Sequence, residues 1–241
     1  MRTRAKIGAL SVVVLALGIV AGTRAQDTAL PLPQFTTKIM GTAPKGIDGR
    51  WFTLAHLDLP DDRVINVVGF LDVHLEAPEP SVTKLYAKLP DAQQQAFEAA
   101  NKANKAWTPT ADDISTIAGS WESLPPDPQA VATLETDIFS ADAFDDTITA
   151  NEGMAKARWA FRQRETYHPG GNRPVNQVMI LSAVEDLQDG WRGPYASVTV
   201  AAAPFPIPIA FNGTVDIHRL DESASGGFFA RLFDMFSGCG R

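Results

Sequence analysis

The chain has 241 residues, of which 45% are hydrophobic and 20% charged, and its formal net charge at pH 7 is −7. This composition is too apolar for an intrinsically disordered protein, and the acidic balance argues against nucleic acid as a partner. The single cysteine, Cys239, excludes an internal disulfide.

Residues 1–25 have the pattern of a secretory signal peptide. Three basic residues among the first six precede an apolar run from Ile7 to Gly22, and Thr23-Arg-Ala25 resembles a signal-peptidase site. Four of the 21 basic residues lie in this segment, so its removal takes the net charge from −7 to −11. We predict an exported protein, periplasmic or secreted, that is not a lipoprotein because the lipobox cysteine is missing. If the segment is retained, it would hold the protein at the membrane.

Residues 48–223 are predicted to form one α+β domain after an extended lead-in at 26–47, where prolines and glycines follow no sustained period. Polar and apolar residues alternate in Val64 to Glu76, which indicates a half-buried strand. Trp51 to Leu59 precedes it across the turn Pro60-Asp-Asp62. The two segments are therefore predicted to form an antiparallel hairpin.

A helical insertion is predicted at residues 90–150, after the second strand. Helix-start signals stand at Asp91, at Thr110 with Asp113 three residues on, at Asp127 before a proline, and at Ser140. They indicate three or four short helices. No lysine or arginine occurs between Lys105 and Lys156, so these helices should present an acidic surface.

Strand patterns return in the last third of the chain, at 157–168, 175–184, 194–203 and 207–220. The fold class is therefore an antiparallel sheet of about six strands, curved or closed into a partial barrel, with the insertion and a short C-terminal helix. Such a sheet encloses a pocket readily. The apolar stretches 178–184 and 201–211 would line it, which predicts an apolar small ligand.

The tail at 224–241 reads as a short amphipathic helix. Its apolar residues recur at helical spacing and are Phe229, Leu232, Phe233 and Phe236. This face would pack on the sheet, contact an envelope protein partner or lie in a membrane interface. Cys239, beyond it, would be free to form an intermolecular disulfide or is incidental.

Acid and histidine residues stand two positions apart on three predicted strands. Residues at this spacing project from one face of a strand. The set comprises His56, Asp58, Asp72, His74, Glu76, Asp216 and His218. If the three faces adjoin, they could hold zinc or another divalent metal and activate water, with His74 and His218 as nitrogen ligands and Glu76 or Asp58 as base. The alternative, which we favour, is the solvated face of half-buried strands.

A basic stripe follows on the first strand after the insertion, with Arg158, Arg162, Arg164 and His168 on one face and Trp159, Phe161 and Tyr167 on the other. Guanidinium groups suit carboxylate or phosphate, so an anionic small ligand is one interpretation. Neutralisation of the acidic segment 110–152 is the other, and we favour it because the two segments adjoin in sequence.

Ser81-Val-Thr-Lys84 matches the Ser-x-x-Lys pattern of penicillin-recognising enzymes. Neither Ser-Asp-Asn nor Lys-Thr-Gly follows, and we interpret the match as coincidence. The sequence as a whole favours a non-catalytic binding or envelope-associated protein. A metal-dependent hydrolase and a structural subunit of an envelope complex with a retained N-terminal helix are the alternatives.

Overall fold

A computed structural model covers the chain and describes residues 34–76, 79–124, 130–151, 153–168, 174–201 and 208–220. The predicted signal peptide and amphipathic tail lie outside the described residues. Among the helices within them, none is long and apolar enough to cross a membrane.

Ten strands form a single sheet in the described part of the chain. Their bounds are β1 Gln34–Met40, β2 Gly49–Leu59, β3 Arg63–His74, β4 Ser81–Leu85, β5 Ala130–Ser140, β6 Trp159–His168, β7 Val175–Ala183, β8 Glu185–Leu187, β9 Gly190–Ala201 and β10 Pro208–Arg219. Nine strands follow in the order β1-β5-β6-β7-β9-β10-β2-β3-β4, and β8 pairs with β9. Neighbours are antiparallel except β1 and β5, which are parallel.

The first and last strands of this order come together. The Val82 amide of β4 donates a hydrogen bond to the Thr37 hydroxyl of β1, with nitrogen and oxygen 2.8 Å apart. The sheet is therefore a nearly closed barrel, and alternate residues of each strand point into it. The predicted antiparallel, curved sheet is confirmed at this coarse level.

The predicted number of about six strands is wrong, because the sheet has nine to ten. Four strands were missed. β1 lies in the segment interpreted as a lead-in, β4 and β8 have only five and three residues, and β5 lies inside the predicted helical insertion. The acids Glu135 and Asp137 of β5 resembled a helix surface, whereas they alternate with Leu134, Thr136 and Ile138, which are all buried. The described helices α1 (Asp91–Lys102) and α2 (Ala111–Gly119) consequently follow the fourth strand rather than the second.

Several local predictions are confirmed. β2 and β3 form the expected hairpin around Pro60–Asp62, and β6, β7, β9 and β10 match the four later strands within a few residues. Helix α2 (Ala111–Gly119) begins with a capping box in which the Thr110 hydroxyl accepts from the Asp113 amide at 3.2 Å. The Asp113 carboxylate in turn accepts from the Thr110 amide at 2.9 Å.

Hydrophobic side chains are buried on both sides of the sheet. Inside the barrel, the core includes Trp51, Phe161 and Leu181. Outside, α1 (Asp91–Lys102) and α2 cover β2 and β3, where Phe52 packs with Ile117. The four-residue helix α3 (Asp146–Thr149) covers the outer face of β5, β6 and β7. Because β2 and β3 are covered on both faces, their sequences carry more apolar residues than simple alternation predicts.

Candidate ligand-binding site

One end of the barrel is filled by tryptophans. The ring centroids of Trp51 and Trp191 lie 4.8 Å apart, and those of Trp159 and Trp191 lie 5.2 Å apart. Trp51 and Trp159 are buried in the inner core. We call this the closed end.

The opposite end exposes apolar side chains that point into the barrel. Ile65, Val67 and Ile209 are 36%, 41% and 52% exposed, and we call these three residues the mouth. Ile65 and Val67 pair directly with Leu57 and Ala55 of β2, which belong to the inner core. Directly paired residues project from the same face of a sheet. Exposed apolar residues therefore line the inside of the barrel at this end.

The register of β4 explains why the mouth is open. β4 pairs with β3 only from Phe70 to His74 of β3. The first half of β3, which holds Ile65 and Val67, consequently has β2 on one side and no paired strand on the other within the described residues. That edge is hydrogen-bonded by residues 101–104 instead, since the Asn104 carbonyl accepts from the Val64 amide at 3.3 Å and the Asn101 side chain accepts from the Asn66 amide at 2.7 Å. The inward side chains of Ile65 and Val67 remain 36% and 41% exposed.

A buried ion pair crosses the barrel interior. Lys84 of β4 and Glu165 of β6 approach to 2.5 Å, and their side chains are 16% and 4% exposed. Lys84 pairs with Leu71 of the inner core, so its side chain points into the barrel. Val67 lies on the same inward face of β3, four residues before Leu71 and closer to the open end. A charge pair in such a place loses much of its hydration and is weak evidence for stability alone.

All three tyrosines of the chain surround this pair. Burial, together with the charge of Glu165, raises the pKa values of Tyr86 and Tyr167. Burial is also the main reason that the pKa of Tyr195 is raised, with a smaller contribution from Glu165. The three hydroxyls thus stay protonated and able to donate at neutral pH.

One buried hydroxyl near this pair lacks a hydrogen-bond partner. Within the part of the chain that the structure describes, the Tyr86 hydroxyl has no partner of acceptable geometry, whereas the Ser197 hydroxyl interacts with Tyr195 and opposes the rise of its pKa. Ser197 lies on the inward face of β9, paired with Met179 of the inner core. Because native proteins satisfy most buried polar groups, an unpaired buried hydroxyl calls for a specific explanation.

The predicted basic stripe is paired with acids. Arg162 donates to Asp137 at 2.9 Å and to Asp145 at 2.6 Å. Arg164 donates to Asp137 at 2.8 Å, and Arg158 makes a bidentate contact with Asp186 at 2.8 Å. Asp137 and Asp145 belong to the acidic segment, which favours neutralisation within the chain. The side chain of His168 is outside the described residues, and the anionic ligand stays a prediction.

Replacing Arg162 with glutamine should lower the free energy of unfolding by about 2 kcal/mol, because Asp137 and Asp145 lose charged hydrogen bonds in a poorly solvated place. Arg158→Gln is the matched control. Its pair is 58% and 60% exposed, so the loss should be at most about 1 kcal/mol. Urea unfolding of both variants measures the difference. Equal losses would show that burial of the Arg162 pairs contributes nothing.

The residues of the predicted metal site are dispersed among other partners. His56 Nδ1 lies 2.8 Å from Asn66, His218 Nδ1 lies 3.0 Å from Asp189, and Asp216 accepts from Arg192 at 2.6 Å. Among the described residues, His74 contacts Asp72 of this set at 2.9 Å, and no such contact is found there for Asp58 or Glu76. The described residues contain no group of three or more metal-ligating side chains. The metal site therefore stays a prediction that the observed geometry does not support.

His218 and Asp189 form a dyad beside a cleft of about 1300 Å³ at the closed end, between α2 and the turn from β8 to β9. Burial by itself raises the pKa of Asp189, but the hydrogen bond with His218 and its charge outweigh burial and lower that pKa. Nε2 of His218 is buried and has no partner within the described residues. The imidazole stacks on Phe52 at 6.2 Å, which places it in the layer between sheet and helices.

The Ser81 and Lys84 match is explained by β4. In a strand, residues three apart project from opposite faces, so the lysine cannot lie beside the serine as it does on a helix. The Ser-x-x-Lys match therefore lacks the geometry of that motif, and Lys84 pairs instead with Glu165, a contact that was not predicted from the sequence. The sequence did contain one sign of this buried pair. Glu165 shares the alternation of Phe161 and Tyr167, so a carboxylate was to be expected on the apolar face of the strand.

Fold and site together define a nearly closed barrel with an apolar mouth above a buried polar cluster. No known family, characterised protein or solved structure matches the chain.

Proposed function

We propose that this chain is an exported binding protein that holds a small molecule with an apolar part in the mouth of its barrel. The single observation behind the proposal is the exposure of Ile65, Val67 and Ile209 on the inside of the barrel. An apolar side chain contributes about 1.5–3 kcal/mol when it becomes fully buried. Covering three half-exposed ones would contribute a few kcal/mol, enough to favour an apolar ligand.

The site differs from the pocket expected from the sequence. The stretches 178–184 and 201–211 were predicted to line it; residues 202–207 are outside the described residues, and Val178 faces outward and is 42% exposed. Inward positions on these strands are Met179, Leu181 and Phe211. Because only alternate residues point inward, these strands supply fewer apolar side chains to the interior than a continuous apolar run would. Inward polar side chains can therefore lie beside them.

Two valines provide a matched test of the mouth. Val67 and Val198 are both 41% exposed, but Val67 points into the barrel and Val198 points outward beside Val178. Val67→Glu should weaken binding of the neutral dye N-phenyl-1-naphthylamine at least about tenfold, since a carboxylate would have to be desolvated beneath the dye. Val198→Glu should leave binding unchanged. Fluorescence titration measures both.

Two outcomes would contradict this proposal. One is failure of the dye to bind the unaltered protein, and the other is an equal loss of affinity in both glutamate variants while they remain folded. Export is tested separately by sequencing the N-terminus of the mature protein, where we expect Gln26. The metal-dependent hydrolase and the envelope subunit gain no support from the described contacts.

A further inference from the structure

The buried polar cluster beneath the mouth is electrically balanced. Lys84 and Glu165 supply one positive and one negative charge. The tyrosines around them are neutral, because burial and the charge of Glu165 raise their pKa values. A charged ligand group placed here would lose its hydration without finding an unmatched opposite charge, and that desolvation is costly. The cluster therefore selects against ionic groups.

The unpaired hydroxyl of Tyr86 gives the cluster a vacant donor. The Lys84 ammonium lies 5.1 Å from the centre of the Tyr86 ring, so this tyrosine adjoins the ion pair directly. Its protonated oxygen can donate to a carbonyl or hydroxyl oxygen of a ligand. The ligand oxygen would satisfy a buried group that has no partner among the described residues.

Taking the proposed binding function as its basis, we infer that the ligand is an uncharged amphiphile. Its hydroxyl or carbonyl oxygen accepts from Tyr86 beside the Lys84 and Glu165 pair, and its apolar part covers Ile65, Val67 and Ile209. Such a ligand would contact both the apolar mouth and the neutral polar cluster. A fatty acid or an alkylamine of equal chain length would also fit the mouth, but its charge would be unfavourable beside the polar cluster.

Tyr86→Phe is the first test, with dodecanol displacing N-phenyl-1-naphthylamine. Affinity for dodecanol should fall about 3- to 10-fold, the range of one hydrogen bond, while the dye, which has no acceptor oxygen, binds as before. The melting temperature should stay the same or rise, because the variant loses a buried hydroxyl that has no partner among the described residues. A purely structural tyrosine would instead lower the melting temperature and leave dodecanol binding unchanged, which would overturn the inference.

Charge preference is the second test, using dodecanol, dodecanoate and dodecylammonium. The unaltered protein should bind dodecanol at least about tenfold more tightly than either ion. Glu165→Gln leaves Lys84 unmatched and should shift the preference towards dodecanoate, whereas Lys84→Met leaves Glu165 unmatched and should shift it towards dodecylammonium. An unaltered protein that prefers an ion, or one rank order in all three proteins, would overturn the inference.

The two proposals fail in different ways. If the dye does not bind the unaltered protein, the binding function itself is contradicted. If the dye binds and is displaced equally by all three amphiphiles, the mouth remains a binding site and only the selection of uncharged ligands is wrong. If Glu165→Gln or Lys84→Met does not fold, Tyr86→Phe still tests the inference, because it changes no charge.

Discussion

Replacing Lys84 with methionine should lower the free energy of unfolding by about 3–5 kcal/mol. The Glu165 side chain is only 4% exposed and approaches the lysine to 2.5 Å. Removing the ammonium leaves a buried carboxylate without its cation, and that carboxylate must be protonated or drawn to water at the expense of packing. Urea unfolding at pH 7, followed by tryptophan fluorescence, measures the loss.

The double variant Lys84→Met, Glu165→Met separates charge from packing. Replacing both partners of a buried pair by apolar residues is often close to neutral, so the double variant should be more stable than Lys84→Met alone. Lys38→Met, on the exposed outward face of neighbouring β1, is the control and should change stability by no more than about 0.5 kcal/mol. A double variant less stable than the single one would show that the pair is not the origin of the loss.

Gly213→Ala should destabilise the barrel by about 3 kcal/mol, at the upper end for one inserted methyl group. Gly213 pairs with Leu57 where β10 meets β2. A Cβ atom at Gly213 would stand 1.8 Å from the backbone oxygen of His56. A backbone atom cannot rotate away as a side chain does, so the two strands must separate. Thermal and urea unfolding give the magnitude.

Gly119→Ala is the matched control for the glycine substitution. Gly119 ends α2, and a Cβ atom there would meet nothing within 4 Å. Alanine is the better helix former, by up to about 1 kcal/mol, so this variant should be as stable as the unaltered protein or more so. If both variants lose stability alike, the close contact between β10 and β2 is not as the structure describes it.

Local sequence patterns were enough to predict the hairpin β2–β3, the capping box at Thr110 and the two faces of β6. Each depends on residues close in sequence, whose spacing alone fixes which side they take. Trp159, Phe161 and Tyr167 were placed together on one face for this reason. That face is the interior of the barrel, which a single strand could not reveal.

Long-range pairing could not be predicted in the same way. Lys84 and Glu165 are 81 residues apart, and they meet only because the ends of the sheet come together. The mouth likewise depends on where β4 stops pairing with β3, which is a property of register and leaves no mark on Ile65 or Val67 themselves. β5 was missed because an acidic run without basic residues also suits a helix surface. In the structure, the outward acids of β5 pair with arginines of β6, and these partners are not evident from the sequence of β5 itself.

The proposed function rests on the claim that the inward apolar residues of the mouth bind the ligand. Methyl NMR of protein labelled at isoleucine and valine, titrated with dodecanol, measures this contact residue by residue. We expect chemical-shift changes at Ile65, Val67 and Ile209, with Val178 and Val198 on the outer face unaffected. Changes confined to Val178 and Val198, or to Ile114 in the cleft at the closed end, would contradict the claim.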